Sequence, residues 1–187
     1  MEDKKELRAA VERLWPELAW IEDRDLRGKV TDVWVYALEQ SPLSPEDLER
    51  IPFTLLVPDC PVSFMAHKRA VVHIARESAK AMARFFGDSL PIHMDTLLAG
   101  AILIDVGKLL EYELDGGGKA VKSRRGTYLR HPFTGTALAL RFGLPDAVCH
   151  LIATHAKEGD LGKRSVESFI VHHADFMSFE PFVDRIP

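Results

Sequence analysis

Histidine and aspartate set against apolar surface are the residues of this chain with chemistry to offer. There are eight histidines against three tyrosines, and six of the eight follow residue 90. That clustering directs attention to a metal site, because neutral imidazole and carboxylate are common ligands of divalent ions. Asp105 is the most exacting position: it directly follows the apolar run Leu97–Ile104 and is followed by Gly107 and Lys108. A carboxylate there costs free energy unless a cation or strong donors compensate it. Two readings are open, a pairing with Lys108 or a metal ligand. His67 lies on an apolar stripe with Val71, Ile74, Ala75, Ser78, Met82 and Phe85. A histidine in that setting is a hydrogen-bonded core residue unless partners converge on it. His131 stands between Arg130 and Pro132, His155 closes LIATH, and Asp175 falls in VHHADF.

The elements that must position these residues read as helices. Lys4–Trp20 carries Leu7, Val11, Leu14 and Leu18 at spacings of three and four, with Pro16 placed to bend or divide it. Leu26–Glu39 repeats the pattern. Ser44, followed by Pro45 and Glu46–Asp47, starts a short helix that ends before Pro52. Phe53–Pro61 reads as an extended connector without chemistry. Ser63–Phe86 is a long helix, on which His73 shares a solvated face with Arg76, Glu77 and Lys80. Asp95 caps a buried helix over Leu97–Glu113, and the Gly-rich stretch after it reads as a mobile loop. Further helices follow around Pro132 with a Gly143 stop, around Val148–Ile152, and around Phe169–Met177. No Val/Ile/Thr-rich alternating run appears, so no sheet is read, and the spacing predicts an all-α bundle of seven to nine helices with no sheet of three or more strands. Residues 1–60 form a helical lead-in packed on a main body of residues 61–187.

Composition narrows the function classes. A chain of 187 residues with 47% hydrophobic content suits a single globular domain. The net charge of −4 and pI near 6.1 give no basic surface for nucleic acid or anionic membrane. Two cysteines do not make a disulfide framework, and MEDKKELRAAVERLW lacks the apolar core of a signal peptide. A reducing cytoplasm is the expected compartment.

Taken together, AHKRAV, LLAGAILIDVGK, RHPFTG, ATHAKEG and IVHHADF resemble, in order and spacing, the HD-domain superfamily of all-α metal-dependent phosphohydrolases. The resemblance covers residues from about Ser63 to Phe179. It implies His67, Asp105, His131, His155 and Asp175 as ligands of one or two divalent ions (Mn, Fe, Ni, Zn or Mg). It further implies catalytic roles for Asp105 and Lys108, with Lys108 and Arg130 as phosphate contacts. Arg124 and Arg125 are either further phosphate contacts or a solvated basic loop. His172 is placed to flank the site, and His150 is structural. The expected partner is a nucleotide or small phosphate ester, with no nucleic acid and no membrane, and self-association is open.

The chain departs from the family at one position. Where the family has the histidine of its His-Asp doublet, this sequence has Ile104, which cannot coordinate a cation. Three protein ligands plus water still make a workable catalytic centre, so the expectation is a phosphohydrolase weakened by the loss of one ligand. The alternative is a non-catalytic HD-like module for nucleotide sensing or protein interaction.

Overall fold

Apolar residues repeating every three or four positions dictate helices, and the computed structural model, which describes residues 2–186, contains nine α-helices among them. α1 (Glu2–Leu14) stops two residues short of Pro16, which opens a 3-10 turn over Pro16–Trp20. α2 (Arg24–Gln40) begins at Asp23, whose carboxylate accepts the backbone N–H groups of Asp25 and Leu26. Trp15 and Trp34 meet with ring centroids 5.3 Å apart, and the Trp34 indole donates to the Ile102 carbonyl oxygen at 3.3 Å. The lead-in therefore shares one apolar core with the main body. The short helix expected after Ser44 is a single 3-10 turn, Asp47–Glu49, in which the Ser44 and Asp47 side chains each bond the other's backbone N–H.

α3 (Phe64–Phe86) is capped by Ser63 and packs along α9 (Val166–Val183). Between them runs α4 (Met94–Leu103), whose residues Leu97–Leu103 are all buried. A helix apolar all round belongs in the middle, and α3, α8 (Asp146–Thr154) and α9 pack around it. Asp95 does not cap α4. Its carboxylate accepts the backbone N–H groups of Glu22 and Asp23 at 2.9 and 2.8 Å, tying the lead-in to this central helix. His73 is exposed, as its solvated face implies, and from there it bonds the buried Glu17 carboxylate at 2.9 Å and packs edge-on against Trp20.

Three expectations for residues 97–128 are corrected. The helix read over Leu97–Glu113 ends at Leu103, and the chain resumes as α5 (Lys108–Glu111). Across the break the bonds tighten to three-residue turns, Val106 N–H to Leu103 and Lys108 N–H to Asp105. The reading of no sheet also fails, because β1 (Tyr112–Leu114) and β2 (Ala120–Lys122) form an antiparallel hairpin pairing Tyr112 with Lys122 and Leu114 with Ala120. Three-residue strands are too short to show a period of two, and the signal lay in the turn: Asp115 accepts N–H from Gly117 and Lys119, and Gly118 has φ 79°. The stretch then continues as α6 (Arg124–Tyr128), so it is an ordered hairpin and helix, not an open loop. No sheet of three or more strands occurs among the described residues.

α7 (His131–Arg141) carries Pro132 in its first turn and ends before Gly143, which takes φ 64°. It crosses the break between α4 and α5 so closely that a Cβ on Gly107 would overlap the His131 carbonyl oxygen and come within 2.9 Å of the Gly135 nitrogen. Gly107→Ala is expected to force α7 away from Asp105 at a cost of about 1–3 kcal/mol. Thermal denaturation checks it; an unchanged midpoint would show that the helices separate freely.

Candidate functional site

Asp105 is the centre of the site because the break after α4 projects its side chain, 1% exposed, toward α3, α7 and the end of α8. His131 comes from the first turn of α7, where its backbone N–H is one of those a helix leaves unpaired. Glu111, at the end of α5, accepts both that N–H and the His131 Nδ1–H at 2.8 Å. Its other oxygen takes the Arg130 guanidinium at 2.6 Å. Burial alone would raise the Glu111 pKa; these donors hold it at about 2. Burial pushes His131 down to about 4 against the pull of Glu111 and Asp105, so the ring is neutral.

His155 follows the last turn of α8. Its Nδ1 lies 2.8 Å from the Ile152 carbonyl oxygen and therefore donates to it. His172 in α9 donates to the His155 carbonyl oxygen, so it flanks the site by holding backbone. His150 accepts the Ser165 N–H and has a structural role.

These bonds fix the tautomers. With its Nδ1–H committed to Glu111, the neutral His131 ring carries a bare lone pair on Nε2, and the Nδ1–H tautomer that the Ile152 carbonyl oxygen favours would leave one on His155 Nε2 as well. The two Nε2 atoms are 3.3 Å apart, and Asp105 Oδ1 lies 3.1 Å from His131 Nε2 and 3.6 Å from His155 Nε2. Asp105 Oδ1 is buried without a hydrogen-bond partner. In those tautomers three acceptors face one another with no hydrogen between them, an arrangement that a divalent cation would relieve. Two imidazole nitrogens and one carboxylate oxygen are a donor set for a first-row divalent ion.

A second group meets the first at Asp105. His67 Nε2 lies 3.1 Å from Asp175 Oδ1, its Nδ1 is 3.3 Å from Ser178 Oγ, and Phe53 stacks on the ring at 4.0 Å. His67, Asp105 and Asp175 present ligand atoms within 4.8 Å of one another. Burial lowers the His67 pKa despite Asp175. Burial would raise that of Asp175, but the bond from His67 and the nearby Lys68 ammonium hold it at about 2. Lys108 donates to Asp105 Oδ2 and to the Phe53 carbonyl oxygen, 3.1 Å each. The Asp105 carboxylate outweighs burial and raises the Lys108 pKa, keeping it charged.

The structure thus brings together His67, Asp105, Lys108, His131, His155 and Asp175, with Arg130 at the rim between Glu111 and Glu158. Ile104 caps α4 and is packed wholly inside the apolar core. A cavity of about 610 Å³ opens over His67, Asp105, Lys108 and His131, and Arg130, Lys122 and Lys157 also line it. Phe53, Leu55, Phe176 and Phe179 form its apolar wall. The connector Phe53–Pro61 is therefore part of the site, a correction to reading residues 1–60 as lacking one.

Sequence reasoning missed Lys68 and Glu111. Lys68 is completely buried in α3, its Nζ 3.3 Å from Asp105 Oδ2. Its signal was spacing: Val72, Ala75 and Ala79, at i+4, i+7 and i+11, are buried on the same face. Glu111 closes an apolar pair, Leu109–Leu110, as Asp105 closes the run before it.

The class defined by fold and site is an all-α bundle with a buried histidine–aspartate centre beneath an open cavity. No family model, curated protein or solved structure matches the chain. No helix among the described residues is long and apolar enough to cross a membrane.

Proposed function

We propose that this protein is a metal-dependent phosphohydrolase of the HD-domain type, acting on a nucleotide or small phosphate ester. The observation that carries the reading is the trio of inward-facing acceptors, Asp105 Oδ1, His131 Nε2 and His155 Nε2. Those residues would hold a divalent cation, which when bound supplies Lewis-acid polarisation of phosphate and acidification of water. The chain's own groups do the rest. Lys108 meets a phosphate oxygen at the cavity floor, and Arg130, Lys122 and Lys157 add positive charge at its sides. His67 and Asp175 share a proton between Nε2 and Oδ1, placed to exchange it with the reacting group. The aromatic wall receives the apolar body of the ester and excludes water from the floor. Both cysteines are free thiols, as the cytoplasm proposed for this activity would keep them.

The test pairs metal content with hydrolysis of p-nitrophenyl phosphate and a panel of nucleotides, using Mn(II), Fe(II) and Ni(II). Glu111→Gln releases the His131 tautomer and is expected to lower metal affinity by about 10–100-fold. Unchanged affinity in that variant and in His155→Ala would refute the site. A second reading, a non-catalytic nucleotide-sensing module, is favoured by one observation: two lysine amines already crowd Asp105 Oδ2. Metal-independent nucleotide binding without turnover would decide for it.

A further inference from the structure

Asp105 divides its carboxylate between two unlike environments. Oδ1 faces His131 and His155. Oδ2 faces nitrogen: Lys108 Nζ at 3.1 Å and Lys68 Nζ at 3.3 Å. Lys108 reaches the cavity and has a second partner in the Phe53 carbonyl oxygen. Lys68 has neither. Its side chain is 0% exposed, its Nζ makes no hydrogen bond, and it lies on the face of α3 that carries Val72, Ala75 and Ala79 into the core. A lysine so placed has no solvent to swing into and is held where it is by packing.

We propose that the Lys68 amine permanently takes the place of a divalent cation in the His67–Asp105–Asp175 half of the site, leaving room for a single ion, at Asp105–His131–His155. The inference rests on the metal reading above and deepens it. An ion bound to Asp105 Oδ2 would stand about 2.0–2.2 Å from that oxygen, in the space between it and the two amines. Ile104, packed in the core, offers it no donor. No such obstacle stands at Oδ1, where only lone pairs converge. Lys68 is a positioning residue, fixing Oδ2 so that Oδ1 is presented to the histidines.

The experiment is a Mn(II) titration of the full chain, read by bound metal and by the electron paramagnetic resonance of the ion. The wild type is expected to bind about one Mn(II) per chain with the spectrum of an isolated ion. Asp175→Asn should keep that ion and His155→Ala should lose it. Lys68→Met, an apolar side chain of similar length, should raise the stoichiometry to about two and produce the signal of a coupled pair. A coupled pair in the wild type overturns the proposal, as does loss of the ion in Asp175→Asn or a folded Lys68→Met that binds no more than the parent. If Lys68→Met does not fold, the wild type and the other two variants still decide. A wild type that binds no Mn(II) refutes the metal reading itself, and this inference with it.

Discussion

Asp105→Ala is expected to destabilise the metal-free protein by about 3–5 kcal/mol, because it removes one partner of a buried ionic cluster and strands the others. Burial alone would raise the Asp105 pKa; the Lys108 and Lys68 ammonium groups override that and hold it well below the usual carboxylate range. Removing the carboxylate leaves Lys68 fully buried with only Asp175 nearby to offset its charge. Burial already lowers the Lys68 pKa against the pull of those two carboxylates. Without Asp105 the amine must lose its proton or draw water into the core. Urea denaturation at neutral pH, with chelator present, measures the loss. Pairing the substitution with Lys68→Met removes the stranded charge and should recover part of it, with a coupling of about 0.5–3 kcal/mol. Additive losses would mean that Lys68 and Asp105 do not sense each other.

The helices were legible because their causes are local. Asp23 and Ser63 bond the first turns they precede, Pro16 divides the lead-in, and Gly143 takes the left-handed conformation that ends α7. The break after Leu103 was not legible, because nothing local forbids the helix from continuing through Ile104–Gly107. It is the near contact of α7 with Gly107, a tertiary fact, that requires the chain to turn there. Among the site residues, His67 and Asp105 stood out as polar groups in apolar settings, and the structure places them within reach of one another. Lys68 stood in an equally apolar setting one residue on. A lysine beside a histidine reads as a surface charge unless its own face is traced, and its partner lies 37 residues away, at Asp105. Glu111 was masked because its work is done for His131 and Arg130, across the hairpin and α6. The connector at Phe53 was passed over for the same reason, since its stacking on His67 joins a loop to a helix that begins eleven residues later, at Phe64.

Mild acid is expected to destabilise the metal-free protein. His131 has its pKa lowered by burial from 6.5 to about 4. Below pH 6.5 the unfolded chain therefore binds a proton that the folded chain refuses. The stability this group confers is complete above 6.5 and drains away as pH falls through about 4, a loss of about 3 kcal/mol. His67 and His172, also lowered by burial, act in the same direction. Glu111 and Asp175, both held at about 2, extend the decline: the stability they confer is present above their unfolded pKa values and is lost as pH falls through about 2. The measurement is the urea midpoint at steps from about pH 7 to about pH 4, with chelator present. His131→Asn should lower stability at neutral pH yet flatten its dependence over that interval, because the titrating ring is gone. A wild-type midpoint that is level from neutrality down to about pH 5 would show that the His131 ring accepts its proton in place. The lone pair assigned to His131 Nε2 would then not be there to face Asp105 and His155.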